Sequence, residues 1–493
     1  MNVLESLISG RWESAAPGGD VLERSSPFAP GAVEFVIPDV STDQLDKTIA
    51  TAHHAQAEWC AMSVVEQADA LRSAAAAMRA NVEPLASVLV AEVGKTKSEA
   101  IGEIQNAARV FEFHSGSVMR ERGVVVKSAR AHTHVMVEWE PVGVVGAITP
   151  WNFPVNLTAV KMAPALAAGN AFVIKPSSEA AATTTALIRL VAPLFPSGLL
   201  SIVNGGGTVG RAVVDHSGID AITFTGSTAV GRQVAATAAA RGVPFQCEMG
   251  GRNSIVIMES ADLDVAVPAA VASAYRMAGQ KCTAASSLVV DESIVEDVIE
   301  RITAELATDS MVLGDPREAS TVIGPLISTT AVDHVTKAVE EAVAAGATLC
   351  WPPDGKLTVD ELEGSFIRPV LITGTTPDMD IAREEVFGPV LTIVPVASVV
   401  EASEAVNAAG YGLVSSIFTK DLAEAMTFSG LAKAGTVLVN QPTTGLDFHI
   451  QFGGWGLSGQ GPTEQSDSAL RAYMRPKTRY LSWTDPTTLT GGK

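Results

Sequence analysis

The chain is poor in cysteine, in basic residues and in long apolar runs, and each shortage excludes something. Only four cysteines occur in 493 residues, Cys60, Cys247, Cys282 and Cys350. They show neither pairing nor ligand-like spacing, which excludes a disulfide framework and fits a reducing cytosol. Lys and Arg number 34 against 54 Asp and Glu, a formal net charge of −20. That balance keeps a protein soluble and argues against a nucleic-acid partner. No run is long enough to span a bilayer, so no membrane partner is expected. Residues 1–12 lack the basic start and apolar centre of a signal peptide, and a cytoplasmic location is the expectation. The histidines include His53-His54 and His132-x-His134, but no Cys or carboxylate cluster accompanies them, so no metal site is expected.

What is present is an ordinary globular composition, 47% hydrophobic and 18% charged. At this length two or three domains with ample core are expected. Residues 1–40, rich in Gly, Pro and Ser, read as irregular with short strand-like pieces. From Asp46 to about Arg120 the apolar spacing is helical, as in Leu71, Ala75 and Met78. Gly94-Lys95-Thr96 resembles the tail of a phosphate loop, but position 89 is Leu where Gly is needed. Residues 123–140 alternate like a hairpin standing off the body, and Thr478 to Trp483 reads as a late strand. These two segments either pair across subunits, which predicts an oligomer, or edge their own sheets.

From 141 to 260 the pattern becomes strand, turn, helix, repeated. Apolar runs at Val142–Ile148, Ala171–Ile174, Leu199–Val203, Ile219–Phe224 and Ser254–Met258 predict a parallel doubly wound sheet. Residues 260–440 repeat the alternation, with strands near Ser287–Val290, Val370–Thr373, Val390–Val394 and Thr436–Val439. This second α/β domain carries Cys282.

Three turns carry nucleotide signals. Gly205-x-Gly207-x-x-Gly210 formally matches the dinucleotide fingerprint, though 42 glycines make chance matches easy. Phe224-Thr225-Gly226-Ser227-Thr228-Ala229-Val230-Gly231 also leaves a strand and opens a helix whose N-terminus suits a pyrophosphate. Lys175-Pro176-Ser177-Ser178-Glu179 ends a buried strand with a cation. Each alone is also an ordinary βα turn; three in consecutive units point to a nucleotide.

Cys282 lies in Gly279-Gln280-Lys281-Cys282-Thr283, a polar stretch after an Ala-rich run. A cysteine is more often a small buried hydrophobe than a nucleophile. Here the neighbouring Lys281, and any helix N-terminus nearby, would favour the reactive thiolate. Three other stretches bear on it. Thr149-Pro150-Trp151-Asn152-Phe153-Pro154 places an amide at a strand's carboxyl end. Glu248-Met249-Gly250-Gly251 places a carboxylate at another. Glu384-Glu385-Val386-Phe387-Gly388-Pro389 offers a second carboxylate and an aromatic ring.

Together, in this order from about residue 140 to 460, these motifs resemble the NAD(P)-dependent aldehyde dehydrogenase superfamily. The resemblance implies an α/β fold with a Rossmann-type cofactor domain, a catalytic domain and a small β oligomerisation element. Their expected bounds are 1–122 with 141–250, 251–440, and 123–140 with 470–488. It implies Cys282 as nucleophile, Glu248 as base for water and Asn152 as oxyanion donor. It assigns the cofactor, NADP or NAD, to Ile148, Thr149, Pro150, Trp151, Lys175, Ser177, Ser178, Phe224, Gly226, Ser227, Val230, Met249, Gly250, Glu385 and Phe387. In this scheme the phosphates sit at the Gly226 turn and the adenine beside the earlier glycine loop. Phe153, Lys281, Thr283 and Phe448 are expected around the aldehyde, and a homodimer or homotetramer is expected in solution.

Two departures stand out. Many NAD-preferring members have Glu three residues after the Lys; here that position is Ser178, with Glu179 one step later, so NADP is expected to be accepted. The usual Phe-Gly-Gly-x-Lys-x-Ser-Gly becomes Phe452-Gly453-Gly454-Trp455-Gly456-Leu457-Ser458-Gly459, and Thr463 stands where Arg often precedes the Glu. The changes at Gly456 and Thr463 bear on assembly more than on chemistry. Gly279 to Ala284, Asn440 to Gly445 and Asp447-Phe448-His449 look most like the 2-oxoglutarate-semialdehyde (2,5-dioxopentanoate) branch. Another short aliphatic or aromatic aldehyde remains open as substrate. A CoA-acylating relative commonly lacks the base that Glu248 supplies. A silent scaffold would not need Cys282, Glu248 and Asn152 together, and a thiol hydrolase lacks a histidine motif to pair with the cysteine.

Overall fold

A computed structural model describes residues 2–15, 19–120, 122–359 and 361–483. The chain before the first doubly wound unit is mostly helical: α1 (Thr42–Ala61), α2 (Val64–Ala80), α3 (Val82–Val93) and α4 (Lys97–Ser117). Three of these begin with reciprocal capping boxes, Ser41 with Gln44, Ser63 with Glu66 and Thr96 with Glu99. Each satisfies two otherwise orphaned backbone donors. Gly94 ends α3 in the left-handed region at φ +78°, and Thr96 starts α4. The apparent phosphate-loop tail is therefore a helix stop followed directly by a helix start.

An eight-stranded sheet follows in the order Gly459–Gln460, Phe245–Glu248, Ala221–Thr225, Val144–Thr149, Ala171–Pro176, Leu200–Ile202, Ser6–Ile8, Arg11–Glu13. Its central five strands are parallel. Numbered along the chain they run 5-4-1-2-3, the order of a dinucleotide-binding sheet. The crossovers are α5 (Asn156–Ala167), α6 (Ala181–Val191), α7 (Gly207–Asp215) and α8 (Thr228–Arg241). The strands are continuous apolar runs because both faces are covered, as with Val144, Val145, Phe172, Val173 and Ile174. Burying each such Val, Ile or Phe contributes about 1.5–3 kcal/mol.

A second, seven-stranded sheet runs Thr348–Trp351, Val370–Thr373, Val390–Val396, Ala285–Asp291, Asn253–Ile257, Val414–Phe418, Thr436–Val439. It is parallel except for its first strand. Asn253–Ile257 belongs here and not to the first sheet, so the change of unit comes directly after Glu248. Helix α9 (Leu263–Tyr275) packs on this sheet and leads to Cys282.

Two expectations are corrected. Residues 1–40 are not mainly irregular: Ser6–Ile8 and Arg11–Glu13 extend the first sheet, and Val21–Ser26 pairs with Ala29–Pro38 in a separate hairpin. The buried Leu7, Ile8, Val36 and Ile37 explain why these short pieces hold. The distant segments 123–140 and 474–482 do not wait for another subunit to pair. Met474–Ser482 lies antiparallel to Thr133–Pro141 of the same chain, beside Gly123–Lys127, in one three-stranded sheet. Residues 484–488 of the expected oligomerisation element lie outside the described residues.

Candidate active site

The register of the first sheet gathers the sequence-flagged residues at its carboxyl edge. Thr225 pairs with Glu248, Phe224 with Ile148, and Thr149 with Pro176. The Ser177 N–H donates to the Thr149 carbonyl at 2.8 Å, tying the turns after two neighbouring strands together. Beside them opens a cleft of about 1070 Å³ lined by Ile148, Lys175, Gly207, Gly210, Arg211 and Val230. Both glycine-bearing loops thus border one cavity at the sheet's switch point, where such folds bind ligands. Gly207 starts α7 and Ser227 caps α8, so two helix N-termini present free N–H groups toward anions. Lys175 is buried, and desolvation pulls its ammonium down to about 8, against the opposing charge of Asp39. A buried cation, glycine turns and helix N-termini together suit a dinucleotide phosphate.

The same edge continues toward Cys282. The Gly226 N–H donates to the Glu248 carbonyl at 3.1 Å, while Phe224 and Met249 pack against Gly231 of α8. Glu385 lies against Gly250, and its Oε1 accepts the Gly251 N–H at 2.9 Å. Burial pushes Glu385 up to about 7. Trp151, next to Pro150, meets Phe387 edge-on with ring centres 5.6 Å apart.

The thiol sits on an unusual turn. Met277, Ala278 and Gly279 follow one another at φ +60°, +52° and +70°. Such conformations are costly for non-glycine residues and persist only where surroundings enforce them. Gly279 has no alternative, because a Cβ there would collide with the Gly388 carbonyl. Buried Gln280 anchors the turn: its Oε1 accepts the Ile327 N–H at 2.9 Å, and its Nε2 donates to the Pro325 carbonyl at 3.3 Å. The Gln280 carbonyl in turn accepts Asn152 Nδ2 at 3.1 Å, bringing the amide to the cysteine loop. Asn253 Nδ2 donates to the Cys282 carbonyl at 2.8 Å and to that of Ala284 at 2.9 Å.

The electrostatics correct the expected thiolate. No helix starts at Cys282, and the thiol is pushed up to about 12, first by burial and then by Glu385, Glu248 and Glu464. The adjacent Lys281 is itself desolvated, its ammonium pulled down to about 8, with Glu99 opposing and Arg276 and Lys95 adding to the fall. No hydrogen bond or ion pair reaches that ammonium among the described residues. Thr283 is half-buried beside it.

Glu248 is buried at its strand end. Its Oε1 accepts Gln246 Nε2 at 3.3 Å, and Oε2 has no hydrogen-bond partner among the described residues. Its carboxyl is held well above the usual range, chiefly by burial and then by the like charge of Glu464, with Lys161 opposing. Lys161 from α5 is wholly buried, pairs with Glu464, and donates to Thr223 Oγ1 and Gln246 Oε1, each at 3.1 Å. Sequence reasoning missed Lys161 and Gln246 and quoted Glu464 only as part of an altered motif. The available signal was a lone Lys inside the otherwise apolar run Leu157–Leu166.

A second buried pair supports the Asn152 loop. Glu103 of α4 pairs with Lys95, and its Oε1 accepts the N–H groups of Val155 and Asn156 at 2.8 and 3.0 Å. The Lys95 ammonium stands 3.6 Å over the Phe153 ring centre. Phe448 meets Phe113 of α4 edge-on at 6.2 Å, so one expected pocket aromatic leans on this helix and the other on the Lys95 just before it. In the altered motif, Gly456 has φ +60° and a Cβ there would strike the Gly410 carbonyl. That explains why no longer side chain occupies the position.

A switch-point cleft suited to a dinucleotide, leading to a cysteine flanked by carboxylates, defines a class: a nucleotide-dependent enzyme with a thiol at its centre. The chain belongs to the aldehyde dehydrogenase family, which matches residues 12–479. It is 32% identical to the alpha-ketoglutaric semialdehyde dehydrogenase of Bacillus subtilis (strain 168), over 97% of this chain and 98% of that one. It is 37% identical to the 3,6-anhydro-alpha-L-galactose dehydrogenase of Streptomyces coelicolor, over 97% and 96%. Among solved structures it resembles 3,6-anhydro-L-galactose dehydrogenase in complex with NAP, that is NADP, with a TM-score of 0.93, 32% identity and coverage of 98% and 100%. It also resembles betaine aldehyde dehydrogenase of Staphylococcus aureus in complex with NAD+, with a TM-score of 0.92, 29% identity and coverage of 97% and 95%. The protein is an NAD(P)-dependent aldehyde dehydrogenase. Among the described residues no helix is long and apolar enough to cross a membrane, and no metal-binding group of His, Cys, Asp and Glu occurs.

Proposed function

We propose that the protein oxidises a small semialdehyde bearing a distal carboxylate, such as 2-oxoglutarate semialdehyde, to the dicarboxylic acid. The carrying observation is the cation beside the thiol. Lys281 is desolvated, lacks a partner among the described residues and adjoins Cys282, so a substrate carboxylate would complete its environment. The similarity to the Bacillus subtilis semialdehyde dehydrogenase supports the same substrate.

In this mechanism Cys282 gives up its S–H proton to solvent as Sγ adds to the aldehyde carbon, breaking the S–H bond and forming a C–S bond and an alkoxide. Asn152, held by the Gln280 carbonyl through one amide hydrogen, directs the other to that oxygen, and the Cys282 N–H is the second donor. One such donor contributes about 3–4 kcal/mol to the transition state. The bound dinucleotide supplies the acceptor for the hydride that leaves the carbon. The acyl group then remains on Cys282 as a thioester. Glu248 takes a proton from water, which adds to the thioester carbon and releases the carboxylic acid and the thiol. Its raised carboxyl suits a base working near neutral pH.

Lys175, Ser177 and Ser178 would hold the adenosine ribose, Gly226, Ser227 and Val230 the pyrophosphate, and Glu385 the nicotinamide ribose, with Phe387 and Trp151 packed alongside. A hydroxyl at Ser178 leaves room for a 2′-phosphate, so NADP serves as well as NAD. Cofactor binding falls to residues 1–122 and 141–250 and the thiol to 251–440. The sheet formed by 123–140 and 474–482 joins subunits of a homodimer or homotetramer, in a reducing cytoplasm that keeps Cys282 a thiol. The test is a panel of aldehydes, with and without a distal carboxylate, assayed by NADH or NADPH absorbance and repeated on Cys282→Ala and Lys281→Met. Cys282→Ala should abolish oxidation, and Lys281→Met should raise KM for carboxylated aldehydes about tenfold or more while sparing uncharged ones. Equal effects of Lys281→Met on both groups would refute the substrate class.

A further inference from the structure

We propose that Arg24, in the N-terminal hairpin, determines cofactor choice by pinning Glu179 away from the cleft. The inference rests on the reading that the turn after Lys175 faces the adenosine ribose. That turn is Ser177-Ser178-Glu179, and it carries one acid. A free carboxylate at this edge would accept hydrogen bonds from a ribose and repel a 2′-phosphate.

The acid is not free. Glu179 forms an ion pair with Arg24, and the two side chains are only 28% and 19% exposed. Arg24 lies on Val21–Ser26, a strand of a separate sheet, so the pair joins the N-terminal hairpin to the cofactor-binding unit. The other carboxylate facing Arg24 is Glu92 of α3. Both Glu92 oxygens are already committed: they accept the Ala182 N–H, the Thr183 N–H and the Thr183 hydroxyl, each at 2.7 Å, at the start of α6. Arg24 therefore directs its guanidinium to Glu179. The Ser177 hydroxyl accepts the Glu179 N–H at 3.3 Å and fixes the turn from the other side.

The hairpin is built close to the cleft. Leu22, two residues before Arg24, approaches Gly206, and the Gly206 N–H donates to Asp39 Oδ1 at 2.7 Å. Along the cleft wall stand Lys175 and Arg211, with Asp215 farther along α7. With Glu179 neutralised by Arg24, Ser178 and the two cations are left to receive a phosphate. Released, Glu179 would add a negative charge at the same edge.

The experiment measures Kd of NADP and of NAD for the full-length protein by isothermal titration calorimetry. The variants are Arg24→Met, Glu179→Gln and the double variant. Arg24→Met should weaken NADP about tenfold or more while changing NAD less than about twofold. Glu179→Gln should bind NADP at least as well as the unaltered protein, and the double variant should recover NADP binding. An equal loss of both cofactors in Arg24→Met, or no recovery in the double variant, would overturn the proposal. Ser178→Glu serves as the separate control on the turn. If it leaves both Kd values unchanged, the turn does not face the ribose, and the underlying reading fails rather than the role of Arg24 alone.

Discussion

Cys282 and Glu248 share one electrostatic problem. Glu248 is buried and Cys282 half-buried, desolvation raises both, Glu248 raises Cys282, and Glu464 raises both. Glu464 is restrained by Lys161, whose charge opposes the rise at Glu248. Replacing Glu464 with Gln removes a like charge and leaves Lys161 to act on Glu248, and both changes lower the Glu248 carboxyl. As the proposed base Glu248 acts only when ionised, so on that reading activity falls as pH drops through its raised range. In Glu464→Gln the acid limb of the kcat profile should therefore move to lower pH. A limb that stays fixed or moves upward would mean that Glu464 does not act on the base. At this scale Cys282, Glu248 and Asn152 stood out in the sequence because each lies in a distinctive motif, Glu248 and Asn152 at or just past strand ends and Cys282 on the turn between α9 and a strand. The ionisation of the thiol was not. Lys281 precedes Cys282 in sequence, but burial and three carboxylates outweigh one desolvated ammonium.

Among the elements, α4 does more than fill the core. Through Glu103 it accepts two N–H groups of the loop that carries Asn152, and Glu103 also pairs with Lys95, which precedes the helix and covers Phe153. Removing one member of such a buried pair leaves a charge unpaired and costs about 3–5 kcal/mol, whereas replacing both with apolar residues is often neutral. The double variant Lys95→Met/Glu103→Leu should accordingly keep its Tm within a few degrees. It should lose about tenfold in kcat, because the Asn152 loop is no longer held, while KM for the cofactor stays unchanged. Unaltered kcat with a lowered Tm would show that the pair is structural only. The sequence signalled these helices through their apolar spacing, and Gly94-Lys95-Thr96 lies outside the phosphate loops, its Gly ending α3 and its Thr capping α4. It hid the N-terminal strands, since strands of three to ten residues with Gly and Pro in and between them leave too little alternation to detect. The Met277–Gly279 turn was equally hidden, because only Gly279 among its residues favours a left-handed backbone.

For the whole molecule, the two α/β units were visible as alternating strands and helices, while the strand order of the first is known only from the structure. What sequence left open was the partner of each late strand, since pairing across 340 or so residues carries no local signal. The resulting three-stranded sheet exposes Val124, Val125, Tyr480 and Leu481, and its side chains carry the pairs Lys477–Glu140 and Arg479–Glu138. An apolar sheet surface of this kind is a predicted contact between copies. Light scattering after size exclusion should give two or four times the 51.1 kDa chain mass. The charge variant Val125→Asp/Leu481→Asp should shift it toward the monomer. A monomeric unaltered protein would contradict the assignment.

The central claim is that Cys282 carries the acyl group and Glu248 discharges it. Glu248→Gln, mixed with aldehyde and cofactor, tests it directly through rapid-quench mass spectrometry with simultaneous absorbance. The prediction is one equivalent of reduced cofactor in a burst, an acyl adduct mapped to Cys282, and later turnover slowed about 100-fold or more. Undiminished turnover, or an adduct on another residue, would contradict it.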